Sequence, residues 1–143
     1  MADEPRKQLM EGLKEDLRGE FQAVIMYRLY ASMVQGPYRQ ELRTFFTNDI
    51  PEELGHAQIL ADKIAAFGGT PDPMPAPVMV VSDPKAMLEA ALKAELEAID
   101  RYVKRRAQAE AAAEYGLATE LDTIIADESN HRNELQLMLA RWP

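Results

Sequence analysis

Glu53-Leu54-Gly55-His56 and Glu128-Ser129-Asn130-His131 contain both histidines of the 143-residue chain, each three positions after a glutamate. Residues i and i+3 share one face of an α-helix, so each stretch can aim a carboxylate and an imidazole at one point. Glu20 precedes Glu53 by 33 residues, and Glu95 precedes Glu128 by the same interval. The set Glu20, Glu53 and His56 therefore recurs 75 residues later as Glu95, Glu128 and His131. The flanks repeat with it. Leu13 falls on Leu88, Leu17 on Leu92, Phe21 on Leu96, Val24 on Ile99 and Tyr27 on Tyr102. Further on, Phe46 falls on Leu121, Ile50 on Ile125, Leu60 on Leu135, Ile64 on Leu139 and Phe67 on Trp142. This reads as two helix pairs about an approximate twofold axis, with the six residues on that axis.

Working outward, Leu13, Leu17, Val24, Tyr27 and Ala31 follow a 4-3 helical spacing whose missing step is Glu20, so that glutamate faces the core. The spacing predicts a first helix over roughly 5–34, stopped by Gly36-Pro37. A second helix over about 38–67 carries Phe46, Ile50, Glu53, His56 or Ala57, Leu60, Ile64 and Phe67 on its buried stripe. Pro51 either kinks this helix or breaks it, with Asn48 or Asp49 capping a fresh start. The Gly- and Pro-rich stretch from Gly68 through Asp83 reads as an extended strap that includes the apolar run Val78 to Val81. Fifteen such residues reach about 50 Å, and a thirty-residue helix is about 45 Å long. The strap can therefore cross the whole bundle and set the third helix parallel to the second. Ser82 or Asp83 caps that helix, Pro84 enters its first turn, and its stripe is Leu88, Leu92, Glu95, Ile99 and Tyr102. Gly116 is expected at the next turn, and the fourth helix carries Leu121, Ile125, Glu128, His131 or Arg132, Leu135, Met138 or Leu139, and Trp142. The fold expected is an all-α, antiparallel four-helix bundle with a long crossover between helices 2 and 3, one domain over 1–143, and no fifth helix.

Composition agrees: helix formers dominate and β-branched and aromatic residues are sparse. The absence of cysteine excludes disulfides, thiolate metal sites and Fe–S clusters. A net charge of −8 disfavours nucleic acid and anionic membrane and attracts cations. With no long apolar run and no signal-like start, the expectation is a cytoplasmic, soluble protein.

Four glutamates on core stripes place four negative charges in low dielectric, which is prohibitive without something positive. Arg28, Arg106 and Arg132 lie near the stripes, but three arginines do not neutralise four carboxylates. Two divalent cations do, with both histidines as neutral ligands. Carboxylate and imidazole ligands suit iron or manganese, and zinc less specifically. One Glu from each of two helices plus Glu-x-x-His from the other two is how helix bundles hold di-iron and di-manganese sites. The competing reading is a metal-free bundle with Glu–Arg networks. Glu52 and Asp127, each directly before a motif glutamate and four residues before a histidine, read as hydrogen-bond partners of an imidazole or as solvated groups. Tyr27 and Tyr102, two turns beyond Glu20 and Glu95, read first as core packing and second as redox or hydrogen-bonding residues. Glu97 points to another face and reads as solvated.

Helix order, ligand spacing and the long crossover, over roughly residues 8–142, resemble the ferritin-like di-iron carboxylate superfamily, especially bacterioferritin and related small ferritin-like proteins. The resemblance implies that Glu20, Glu53, His56, Glu95, Glu128 and His131 bind two irons, with Glu53 and Glu128 bridging. It implies a ferroxidase that oxidises Fe(II) with O2 or H2O2, for iron handling or detoxification. The alternatives are a di-iron or di-manganese peroxidase or oxidase acting on peroxide or a small substrate, and a non-catalytic metal storage module. Haem is not expected, because Leu54 stands where bacterioferritin has its haem-binding methionine. The missing fifth helix departs from the 24-subunit cages. The extra glutamate and cysteine-rich domain of rubrerythrins have no counterpart here. A homo-oligomer is expected, with Val78 to Val81 one candidate contact.

Overall fold

The computed structural model describes residues 3–143. Among the described residues there are four helices, α1 (Asp3–Met33), α2 (Arg39–Ala66), α3 (Pro84–Ala111) and α4 (Tyr115–Ala140), and no strand. Between α1 and α2, Gly36 takes φ 106°, a left-handed conformation that a side chain would strain. At the end of α2, Gly68 takes φ 87°, its amide donates to Ala65 O, and the Gly69 amide donates to Ile64 O at 2.9 Å. That pair of bonds is a Schellman cap. The same pair closes α3, from Ala113 to Glu110 O and from Glu114 to Ala109 O, but the left-handed position is held by Ala113 at φ 60°.

The structure corrects the expectation of a turn at Gly116. The turn between α3 and α4 falls at 112–114, and Gly116 lies inside the first turn of α4. An alanine has taken the cap position where glycine is usual, so the nearest glycine pointed two or three residues too far. Of the two readings of Pro51, the continuous helix is the one found: α2 runs on through it. Pro51 is exposed, and so is Thr47, whose carbonyl loses its helical amide partner, so water can take the vacated bond.

The strap between α2 and α3 lies along α1 and runs in the same direction. The Ala76 amide donates to Arg18 O, Gln22 donates to Pro77 O at 2.5 Å, and the Tyr30 hydroxyl donates to Met79 O at 2.5 Å. Val78 and Val81 pack against the core while Met79 and Val80 face out. The strap thus delivers the chain to the end where α1 finishes, and α3 runs parallel to α2. Asp83 caps α3 by accepting from the Ala86 amide at 3.0 Å, with Pro84 at the first helical position.

The core is two apolar blocks. Leu9, Leu13, Leu60, Ile64, Ala109 and Leu117 belong to one, and Tyr30, Val34, Phe46, Leu42, Met87 and Leu135 to the other. On each helix a buried glutamate stands between residues of the two blocks: Glu20 between Leu17 and Ala23, Glu53 between Ile50 and Ala57, Glu95 between Ala91 and Ala98. On α4, Glu128 lies between Ile124 and Leu135; Ile124 is the fully buried isoleucine, and Ile125 packs at its edge. The waist of the bundle is therefore polar.

Candidate metal centre

Helical register alone sends all four carboxylates and both imidazoles to this waist. Glu20, Glu53, Glu95 and Glu128 are 1–2 % exposed, His56 3 % and His131 8 %. Two groups of four could each hold an ion: Glu20, Glu53, His56 and Glu128, and Glu53, Glu95, Glu128 and His131. Within each group the candidate ligand atoms lie within 4.8 Å of one another. Glu53 and Glu128 belong to both. His56 Nδ1 stands 3.1 Å from Glu128 Oε1 and 3.5 Å from Glu20 Oε1. His131 Nδ1 stands 3.3 Å from Glu53 Oε1 and 3.4 Å from Glu95 Oε1.

Whether these residues suit a cation can be judged from their unmet polar atoms. Buried polar groups are almost always hydrogen-bonded. Yet Glu20 Oε2, Glu53 Oε1, His56 Nδ1, Glu95 Oε2, Glu128 Oε1 and His131 Nδ1 are all buried without a partner. Each of the six residues contributes one such atom. Oxygen and imidazole nitrogen donors of this kind fit iron or manganese.

The outer nitrogens are braced across the bundle. His56 Nε2 lies 2.9 Å from Asp127 Oδ2, and His131 Nε2 lies 2.6 Å from Glu52 Oε2. A carboxylate on the outer nitrogen fixes the ring and leaves Nδ1 facing inward. The pairing is crossed: each acid holds the histidine of the other helix, not the one four residues along its own. Tyr27 and Tyr102 are fully buried, and their hydroxyls donate to Glu95 Oε1 (at 2.6 Å) and to Glu20 Oε1 respectively. Both packing and hydrogen bonding apply to them. Glu97 is exposed, as expected.

Without a cation, protons must settle the charge. Burial, then the neighbouring carboxylates, pushes Glu53 and Glu128 well above the usual carboxylate range. Burial alone would lower both histidines, but contacts with Glu128 and Glu20 raise His56 to about 11, and contacts with Glu95 raise His131 to about 10. Burial also works against the ionised form of Glu95, yet the proximity of Glu128, the charge of His131 and the hydrogen bond from Tyr27 hold it below the usual value. Burial and crowding thus favour protons on the shared glutamates, and the surrounding carboxylates favour them on the histidines.

Arg28, Arg106 and Arg132, the arginines that the sequence placed nearest the stripes, do not enter the centre. Arg28 is exposed, Arg106 pairs on the surface with Asp122 and Glu110, and Arg132 bonds to Asn133. The buried cation is Arg105, 3 % exposed, which donates from Nε to Asp16 Oδ2 at 2.7 Å and from Nη2 to Asp16 Oδ1 at 3.2 Å. Asp16 is fully buried and Arg101 lies 3.5 Å from it. Asp49 was also missed: it is 9 % exposed, 3.8 Å from His131 Nε2, and its Oδ2 has no partner. Burial first, offset in part by His131, raises its pKa to about 6. The signal for these was spacing. Asp16 and Asp49 each stand four residues before a buried glutamate, and Arg105 stands three after Tyr102.

Residues 10–143 match the sequence model of the ferritin-like domain. The chain is a member of the ferritin-like domain family. Among ferritin-like relatives, a bacterioferritin of Streptomyces coelicolor is 29% identical over 133 residues, 92% of this chain and 80% of that protein. A bacterioferritin of Brucella melitensis is 29% identical over 140 residues, 97% of this chain and 86% of that protein. A ferritin-like, diiron-carboxylate protein of Bacillus anthracis superposes with a TM-score of 0.93 at 46% identity, over 95% of this chain and 98% of that one. A Dps protein of Bacillus brevis has a TM-score of 0.88 at 19% identity, a likeness of fold alone. None of the described helices is long and apolar enough to cross a membrane.

Proposed function

We propose that this ferritin-like chain is a ferroxidase that takes up two Fe(II) ions as substrate and oxidises them with O2 or H2O2. The observation carrying the proposal is that two four-residue groups share Glu53 and Glu128, with a partnerless donor atom on each of the six side chains. In this reading Glu20 and His56 complete one position, Glu95 and His131 the other, and Glu53 and Glu128 bridge them. Two bound irons supply two electrons, so O2 with two protons becomes H2O2 while each Fe(II) becomes Fe(III). The chain's own part is to exclude bulk water, fix the imidazoles through Asp127 and Glu52, and hold Glu95 and Glu20 through Tyr27 and Tyr102. A leucine at position 54 offers no thioether to haem, and with no cysteine there is no Fe–S relay, so the substrate iron is the reductant.

Anaerobic titration should saturate near two Fe(II) per chain, and admitting O2 should convert both to Fe(III) faster than protein-free solution does. Glu53→Ala, which strips a donor from both positions, should reduce the metal bound to well under one per chain. Saturation at zero or one iron in the unaltered protein, or oxidation no faster than in buffer, refutes the proposal.

A further inference from the structure

The six ligand candidates obey the 75-residue repeat, but their surroundings do not. Asp49 corresponds to Ile124, Asp16 to Ala91, Arg105 to Tyr30 and Arg101 to Met26. Outside the Glu95–His131 half, therefore, lies the nearly buried carboxylate of Asp49, whose counterpart in the other half is an isoleucine. Outside the Glu20–His56 half, one helical turn from Glu20, lie Asp16 and two arginines, where the first half has methionine, alanine and tyrosine. The carboxylates that brace the histidines, Glu52 and Asp127, are matched, so they do not alter this comparison. Counting only the unmatched groups, one half has an extra negative charge and the other an excess of positive charge.

We infer that the two cation positions are unequal and fill in order, the Glu95–His131 position first, with Asp49 and the Arg101–Arg105–Asp16 group setting the order. This rests on the two-cation reading above. Among the described residues, Asp49 Oδ2 and Arg101 Nε are also the two side-chain atoms outside the six ligand candidates that are buried without a hydrogen bond, Arg101 Nε being in ionic contact with Asp16 at 3.5 Å. Each charge acts on both positions and only the difference in distance counts, so charges of opposite sign on the two sides separate the affinities of two otherwise equivalent divalent sites by roughly severalfold under strong dielectric screening.

The test is crystals of the full chain grown with one equivalent of Co(II), a cation that O2 leaves unoxidised at such a site, with the occupancy of each position read from anomalous diffraction. The expected result is cobalt predominantly at Glu95 and His131. Asp49→Asn should shift the two occupancies towards equality. Arg101→Gln, on a partly exposed side chain in the other half, should do the same by strengthening the weaker position. Equal occupancy in the unaltered protein, or an excess at Glu20 and His56, overturns the inference and leaves the two-cation reading standing. A preference that survives both substitutions overturns the assignment to these charges. Cobalt at neither position overturns both the inference and the reading beneath it.

Discussion

Gly12→Ala separates two effects of opposite sign. In a helix interior, alanine ordinarily stabilises relative to glycine by about 1 kcal/mol. Here the added Cβ would fall within the guanidinium of Arg105. A long side chain can usually swing aside, but this one is 3 % exposed and holds the fully buried Asp16 by two hydrogen bonds. Moving it breaks a buried ion pair, which costs about 3–5 kcal/mol. Arg101, 3.5 Å from Asp16, remains as a partial partner, so the lower end applies. The net is a loss of about 2–3 kcal/mol, or a melting temperature lower by roughly 6–10 °C. Gly55→Ala is the control: nothing lies within 4 Å of a Cβ there, and it should raise stability by about 1 kcal/mol. Thermal or urea unfolding of the metal-free proteins gives both values. If Gly12→Ala stabilises as Gly55→Ala does, the guanidinium is not confined to that notch and the ion pair does not hold α3 against α1.

Three other outcomes are expected. Ala113→Gly should stabilise by about 1 kcal/mol, because it removes a Cβ from a left-handed residue at φ 60°; unchanged or lower stability on unfolding would count against this account of the cap. The metal-free protein should lose stability as pH rises from 6.5, the ordinary histidine value, towards about 10. Glu53, Glu128, His56 and His131 all bind protons more tightly folded than unfolded, so their contribution is whole at low pH and drains as the histidines approach about 11 and 10. Glu95, whose value is lowered, works the other way but is one group against four. Metal-loaded protein should show the reverse slope, since its ligands must be deprotonated, and parallel urea midpoints for the two forms would refute this. Asp127→Ala and Glu52→Ala should each weaken metal binding by about 10–100-fold while the bundle's circular dichroism is kept; unchanged affinity would mean that the crossed braces do not orient the imidazoles.

The repeat of Glu20, Glu53 and His56 made the waist legible in the sequence, because helix spacing and the chemistry of buried charge both act on those positions. The crossover was legible through Gly68, Pro71, Pro73, Pro75 and Pro77, none of which suits a helix interior. What could not be read depends on neighbours distant in sequence. The crossing of Glu52 to His131 is set by how α2 and α4 face each other, and the spacing within one helix suggests the opposite pairing. Arg105 carries no local sign of burial, because the room for it is left by Gly12, 93 residues earlier. Ala113 carries no sign of its left-handed backbone because the three-dimensional cap, not its side chain, imposes it.

The crossed braces have a consequence for what the smallest working unit can be. Taken alone, either hairpin holds three of the six inward donors and an imidazole whose outer nitrogen points at empty space, because its carboxylate brace belongs to the other hairpin. Neither hairpin can prearrange half a centre for the other to complete. Orientation of the rings and convergence of the donors must arrive together, when the two halves close on each other.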